Sequence, residues 1–290
     1  METGNKVTGA FGVKLLHNVS ARNITSMHCG GYISNVFIAE NTEDIAHFLA
    51  SNNRLFILGE GTNTIFGDTP IDIPVLRLGN NFSFIELKGE TIHAGAKTPI
   101  NEILTFCIKE GLSGLEFLSG IPGSLGGALF MNAGTRDEWI MDRVISIELT
   151  GRNGEFNLKR EDIHSSYRSG NLPDNVVITG TYLKLDPSNP KHVQERTSNY
   201  LEKRRNQPKG FTSGSVFKNP EGMSAGYLIE EAGLKGYRIG GAMVSPLHAN
   251  FIVNDGDANA SDVKKLIDVI KQRVKSRFGI ELKEEVKLIG

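Results

Sequence analysis

Residues 114–134, GLEFLSGIPGSLGGALFMNAG, constrain this chain more than any other stretch of it. Six of the 21 are glycine, at 114, 120, 123, 126, 127 and 134. Pro122 and the small residues Ser119, Ser124 and Ala128 add little bulk, so backbone amides can approach a ligand closely. A segment of this kind, with a helix start inside it, presents unpaired N–H groups and suits an anionic phosphate. A glycine-rich connection between core elements is an equal reading of this stretch alone. LGEGTN at 58–63 shifts the balance towards a large phosphate-bearing cofactor.

The strand expected at 54–58 runs straight into that second stretch, the order that backbone recognition of a phosphate needs. It is neither GxGxxG nor a P-loop, because the third glycine and the Gly-Lys-Ser/Thr are missing. A nicotinamide-binding Rossmann domain is therefore disfavoured. The formal charge of −1 gives no reason to expect nucleic acid or an acidic membrane surface. Cys29 and Cys107 fit no metal or disulfide spacing and point to a reducing compartment. With no signal peptide, no apolar run of membrane length and no repeat, the chain is expected to be soluble, cytoplasmic and monomeric.

The first segment, to about residue 31, reads as polar and irregular, followed by a strand over 32–39. A helix is expected at 42–51, capped by Asn41 or Thr42, with Ile45, Phe48 and Leu49 on one face. Short strands fill 74–96. Thr98 reads as the cap of the next helix, with Pro99 at its first position and Gly111 as its stop. Its stripe, Ile100, Ile103, Leu104, Cys107 and Ile108, makes Cys107 a core filler rather than a nucleophile. A strand at 143–150 places Ile145, Ile147 and Leu149 on one side, before a turn at Asn153-Gly154. Another strand is expected at 175–179. A charged helix at 190–205 bridges towards a compact last part, where Ser224 starts a short helix, 250–254 is a strand and Ser261 caps a long helix. The inner face of that helix carries Val263, Leu266, Ile267, Ile270, Val274 and Phe278. This irregular alternation favours an α+β architecture over a doubly wound sheet.

No HExxH is present, and the seven histidines do not cluster at metal-ligand spacings. SYRSGN at 166–171 reads on its own as an ordinary surface turn, and the basic run 203–205 as a solvated face unless it meets phosphate. SGSVFKNP at 213–220 sets Ser215, Lys218 and Asn219 on a constrained turn. ELKEEVKLIG at 281–290 holds Glu281, Glu284 and Glu285, for which a solvated face is the default.

In order, LGEGTN, SGIPGSLGGALFMNAG, SYRSG, GSVFKNP, GLKGYRIGGAMVS, HANFIVN and EEVKLIG resemble the UDP-N-acetylenolpyruvoylglucosamine reductases, in their shorter bacterial form. The resemblance runs from about residue 30 to the end. It implies an FAD-binding region of two α+β subdomains of the vanillyl-alcohol-oxidase type (1–75 and 76–195), then a substrate-binding α+β domain (196–290) whose terminal strand returns to the active site. It also implies the cofactors FAD and NADPH, and reduction of the enolpyruvyl ether of UDP-N-acetylglucosamine to UDP-N-acetylmuramate for peptidoglycan.

By the same resemblance Gly59, Glu60, Gly61, Thr62 and Asn63 lie along the flavin pyrophosphate. The second flavin loop takes in Gly120, Ile121, Pro122, Gly123, Gly126, Gly127 and Ala128, followed by Asn132 and Gly134. Glu60 and Thr62 depart from the small residue and the serine more usual there, and a carboxylate beside a pyrophosphate must point away. Residues 135–138 depart from the family's Ala-Tyr-Gly, and Lys283-Glu284 from its Glu-Pro. Arg168 matches the active-site arginine, Ser215 the proton donor and Glu285 the catalytic glutamate. Tyr167, Lys218, Asn219, His248 and Asn250 fall where the substrate or nicotinamide site is lined.

These residue types suit the chemistry. An enol ether bearing a carboxylate accepts hydride when the charge developing next to that carboxylate is stabilised, which a bidentate guanidinium does and a lysine does not. A hydroxyl held in place then protonates the adjacent carbon. Two other readings stay open: a flavin oxidase or dehydrogenase of the same fold tethered through His28 or Cys29, and a non-catalytic nucleotide-sugar binding protein.

Overall fold

A computed structural model describes residues 6–8 and 14–290. Three sheets carry the architecture, which is α+β. The first runs, in spatial order, Lys6–Thr8, Lys14–Ser20, Tyr32–Ala39, Val75–Leu78 and Phe56–Ile57, antiparallel up to Tyr32–Ala39 and parallel beyond it. The second is an antiparallel sheet of Gly154–Lys159, Val144–Gly151, Val177–Lys184, Thr91–Gly95 and Ile85–Lys88. Thr212–Ser215, Phe251–Asn254, Ala242–Val244 and Arg238–Ile239 form the third.

Among the described residues six α-helices pack on these sheets: α1 Thr42–Ser51, α2 Ile100–Glu110, α3 Leu125–Phe130, α4 Pro190–Lys203, α5 Ala225–Glu231 and α6 Ala260–Phe278. Asn41 caps α1 by accepting the Asp44 N–H at 2.8 Å. In α2, Ile100, Ile103, Leu104 and Cys107 are buried, and Gly111 closes the helix in the left-handed region at φ 67°. Cys107 is a core residue, and burial pushes its thiol up to about 12. Ser224 caps α5.

Four expectations change. The segment before residue 31 holds a regular strand, Lys14–Ser20, paired antiparallel with Tyr32–Ala39; Asn18, at φ 51°, breaks its alternation and hides it. (Residues 1–5 and 9–13 of that segment lie outside the described residues.) Ile145 is exposed and Val144 buried in its stead, because the pairing with Val177–Lys184 shifts register between 144 and 146. Thr98 does not cap α2: its hydroxyl exchanges hydrogen bonds with the Phe84 backbone, and Pro99 takes the cap position. Nor does Ser261 cap α6. Asn259 does, in a capping box with Asp262, while Ser261 sits one residue inside and donates to Asp68.

That last contact joins distant parts of the chain. Asp68 accepts from the Ala260 and Ser261 N–H groups at 2.8 Å each, a carboxylate from the first part of the chain docked on the first turn of α6. Strand Lys287–Ile289 pairs in parallel with Thr64–Phe66, and Val286 packs in one hydrophobic cluster with Ile65 and the buried face of α6. The end of the chain is thereby fixed against the segment that follows the first glycine loop.

Candidate active site

The two glycine loops touch. Thr62 Oγ1 donates to the Pro122 carbonyl at 3.4 Å, so 59–63 and 120–124 form neighbouring walls. None of the N–H groups of residues 59–63, nor those of Gly120, Gly123 and Ser124, has a hydrogen-bond partner among the described residues. Unpaired backbone donors on two adjoining turns are what a pyrophosphate satisfies. A Cβ on Gly59 would meet only Ser124 Oγ at 3.3 Å, and one on Gly127 only the same atom at 3.6 Å, so open space faces both. Glu60 turns away from the donors towards Arg77, 3.7 Å off, which answers how its carboxylate is accommodated.

Gly126 and Ala128 face the other way. A Cβ on Gly126 would stand 3.0 Å from Ala96 Cβ and 3.1 Å from its carbonyl oxygen, and the Gly126 N–H is already bound to that oxygen at 2.7 Å. Ala128 is buried in the core and its N–H is bound to Ser124. The expectation that Gly126 leaves room for a ligand is thus corrected; it leaves room for the backbone at Ala96. Ile121 packs against the same core. Gly61 permits a close approach of backbone, since a Cβ would fall 2.2 Å from the Ile24 carbonyl oxygen.

Arg168 stands at the tip of a tight loop. Ser166 and Ser169 exchange backbone hydrogen bonds at 2.9 and 3.1 Å, which forces Tyr167 and Arg168 outward and holds Arg168 at φ 57°. An ordinary surface turn has no reason to keep a long side chain in that region. The guanidinium lies over the rings of Tyr167 and Trp139, 5.1 and 5.6 Å from their centroids, and donates to the Gly134 carbonyl at 3.3 Å. The two rings meet edge to face at 86°. Asn132 ties this loop down from within the core, donating to the Ser166 carbonyl and accepting from the Met141 N–H.

Ser215 ends the strand Thr212–Ser215, whose pairing with Phe251–Asn254 slips between 212 and 215. Gly214, at φ 73°, makes the slip. The C-terminal segment runs beside it: Glu285 N–H donates to the Val216 carbonyl at 2.8 Å, and Lys218 N–H to the Lys283 carbonyl at 2.9 Å. Asn63 Nδ2 donates to the Glu285 carbonyl at 3.1 Å, which links the first glycine loop to this glutamate. Glu285 Oε1 comes 2.9 Å from Arg168 Nε. The approach is an ion pair without hydrogen-bond alignment, leaving that N–H unsatisfied. Burial pushes the Glu285 carboxyl above the ordinary glutamate range, against the opposing pull of Arg168 and Lys218.

Other expected residues serve as supports. Asn250 spends its whole amide on Phe217, accepting from its N–H at 3.0 Å and donating to its carbonyl at 2.8 Å; it holds the Ser215 segment in place. Asn219 Oδ1 accepts from the Ala225 N–H at the start of α5, and its own N–H donates to the Tyr167 hydroxyl. His248 accepts the Asn250 N–H on Nδ1 and is kept towards its neutral form by burial. Lys218 stands close enough to act electrostatically on Glu285.

The arrangement has counterparts. Residues 207–289 match the family model described as UDP-N-acetylenolpyruvoylglucosamine reductase, C-terminal domain, and 33–157 match an FAD binding domain. A UDP-N-acetylenolpyruvoylglucosamine reductase of Rickettsia felis is 38% identical over 93% of this chain and 94% of its own. One from Geobacter metallireducens is 39% identical over 92% and 91%. The chain belongs to the UDP-N-acetylenolpyruvoylglucosamine reductase family. The crystal structure of the reductase from Thermus caldophilus superposes with a TM-score of 0.85 at 34% identity, over 96% of this chain and 99% of that one. The chain is accordingly an enzyme of the reductase family, with an FAD-binding domain that spans both glycine loops.

Within the reductase framework, tethering of flavin through Cys29 is ruled against by its surroundings. The thiol is fully buried in the cluster of the third sheet, and burial raises it to about 12. His28 stacks on Phe211 at 3.9 Å. Sequence reasoning missed Trp139, the one tryptophan of the chain, although it lies beside the loop that departs from the family pattern. It also missed the network behind it, in which Glu138 is held by Tyr200 and Arg196, and Arg196 reaches the fully buried Glu116 at 3.3 Å.

Proposed function

We propose that the chain reduces the enolpyruvyl ether of UDP-N-acetylglucosamine to UDP-N-acetylmuramate at the expense of NADPH, as a cytoplasmic monomer. The observation that carries the reading is the Arg168–Glu285 ion pair, whose glutamate N–H bonds the carbonyl of Val216 directly after Ser215, next to two loops of unpaired N–H groups. The division into 1–75, 76–195 and 196–290 goes with it, although the strand Val75–Leu78, which the first boundary would cut, pairs within the first sheet.

Bound FAD supplies the hydride carrier. Residues 59–63 with Gly120, Gly123 and Ser124 satisfy its phosphates through backbone donors. Arg168 takes the substrate carboxylate on its guanidinium fork and holds the negative charge that develops beside it. Two carboxylates then share one guanidinium, and their repulsion is relieved when Glu285 keeps its proton, as its burial favours. Ser215, aimed by the backbone slip at Gly214, delivers the proton to the carbon next to the carboxylate. Tyr167 and Lys218 close the substrate side, and Asn219, His248 and Asn250 hold the walls.

The test is spectroscopic. Purified protein should show a flavin spectrum that NADPH bleaches without oxygen, and the enolpyruvyl nucleotide should restore it with release of UDP-N-acetylmuramate. Bleaching with no recovery in the presence of that nucleotide would remove the substrate assignment. Flavin that stays with acid-precipitated protein would point to a tethered oxidase instead.

A further inference from the structure

Arg168 projects from the tip of its loop, which supplies one wall for the guanidinium, the Tyr167 ring. Three contacts from elsewhere fix it further. They are the Trp139 ring at 5.6 Å, the Gly134 carbonyl, which accepts from Nη1 at 3.3 Å, and Glu285 at Nε. Two of the three come from one short loop, 134–139. Nη2 has no hydrogen-bond partner among the described residues and is free to meet a carboxylate.

That loop is built as a platform. Gly134 and Trp139 bridge across it, and the Thr135 N–H donates to the Glu138 carbonyl at 2.8 Å. A Cβ on Gly134 would fall 2.8 Å from Cε3 of Trp139, so the bare backbone at 134 is what lets the indole lie beside the carbonyl that Arg168 uses. Both neighbours of Trp139 are pinned. Ile140 is fully buried and its N–H donates to the Ala133 carbonyl at 2.9 Å. Glu138 is held by Tyr200 and Arg196 of α4, and Arg196 is paired in turn with the buried Glu116.

Glu285 is a poor sole anchor for the arginine. Its approach to Nε lacks hydrogen-bond alignment, and burial favours its protonated form, in which the charge attraction is gone. An aromatic face attracts the guanidinium at every working pH, because arginine stays charged.

We infer that Trp139 is a positioning residue for Arg168: with Tyr167 it brackets the guanidinium beside the Gly134 carbonyl and keeps the free part of the fork set for a substrate carboxylate. The inference rests on the assignment of Arg168 to that carboxylate.

The experiment has two arms, both on the FAD-loaded protein. The first uses no substrate. The Arg168 Nε–H signal, seen with isotope-labelled arginine and assigned by its loss in Arg168→Lys, should carry a ring-current shift. Trp139→Leu should remove much of that shift and Trp139→Phe should keep most of it. The second arm measures half-reactions. Trp139→Leu should slow reoxidation of the reduced flavin by the enolpyruvyl nucleotide by about 10–10²-fold, the scale of a misplaced binding group, with reduction by NADPH near normal. Trp139→Phe should recover most of the rate. Trp139 is also the one tryptophan of the chain, so fluorinated tryptophan alters this side chain alone at nearly constant size. Progressive fluorination weakens the ring's negative face and should slow reoxidation stepwise, by about two- to fivefold in all, at an unaltered melting temperature. A residue that only fills space would give a flat series, and a flat series overturns the proposal even if Trp139→Leu fails to fold. An Arg168 signal that stays put in Trp139→Leu also overturns it. So does a moved signal with reoxidation at the wild-type rate, or an equal loss in both half-reactions, which would give Trp139 to the fold. A wrong substrate assignment shows separately, as wild-type protein that the nucleotide fails to reoxidise, while the first arm still decides the bracket.

Discussion

Arg168 Nε and Glu285 Oε1 stand 2.9 Å apart, yet one belongs to a tight loop beside the second sheet and the other to the C-terminal segment that follows α6. The pair therefore exists only where these two distant segments meet. Its strength depends on partial burial, since an exposed pair of this kind contributes little. Each of its members is open to a separate test.

Arg168→Lys keeps the charge and loses the planar fork. Turnover should fall by about 10²–10³-fold, the scale for a lost oxyanion-stabilising donor. Reduction of the flavin by NADPH should stay near normal, because the fork serves the substrate carboxylate. Rapid-mixing measurement of the two half-reactions separates these effects; an equal loss in both would place Arg168 in the service of the flavin or the fold.

Ser215→Ala removes one oxygen from a strand end and should leave FAD binding and its reduction intact. Reoxidation by the enolpyruvyl nucleotide should slow by about 10²–10⁴-fold. Ser215→Cys should restore part of that rate, as a thiol still yields a proton. Anaerobic stopped-flow absorbance is the measurement, and a normal rate in the alanine variant would transfer the proton donor's role to another group.

The pH behaviour of Glu285 follows from its burial. Its carboxyl titrates above the ordinary range in spite of Arg168. Replacing Arg168 with Met removes an influence that lowers it, so Glu285 should titrate at still higher pH, read from its carboxyl carbon by NMR. The sign for stability follows. The folded state binds this proton more tightly than the unfolded chain, so Glu285 costs stability as pH rises from the ordinary glutamate value towards the raised one. Glu285→Gln should flatten that part of the stability profile; an unaltered slope would show that the carboxyl is not shifted.

Two glycines one residue apart should fail in different ways. Gly127→Val places its side chain in open space near Ser124 Oγ and should abolish flavin retention while the apoprotein melts as before. Gly126→Val drives its side chain into Ala96 and should lower the melting temperature of the apoprotein itself, by the usual cost of overpacking, about 1–3 kcal/mol. Flavin content and calorimetry on both variants decide it. If Gly127→Val retained FAD in full, the second loop would not face the cofactor.

Periodicity made α1, α2 and α6 legible in the sequence, because their buried faces repeat at helical spacing, while α5 was read from Ser224 at its start. The glycine loops were legible because few physical demands other than close backbone approach call for so much glycine. What escaped reading was decided by partners far along the chain. Thr98 and Ser261 are sound caps by local rules, but Phe84 and Asp68 claim their hydroxyls. A register shift turned Ile145 outward. Arg168 looked like part of a plain turn until Trp139, Gly134 and Glu285 were seen around it. Asn250 looked like a ligand and is a clamp on Phe217.

The bond between Asn63 and Glu285 spans 222 residues of chain. Contacts of such separation form late in folding, since closing a long loop costs entropy before any contact rewards it. The first two sheets can be complete while the flavin loop still lacks its neighbour and Arg168 its counter-charge. Refolding should then show secondary structure recovering ahead of flavin capture. A cell carrying a slowly folding copy would hold a well-formed but catalytically silent protein, open to proteases at the C-terminal segment until that segment docks.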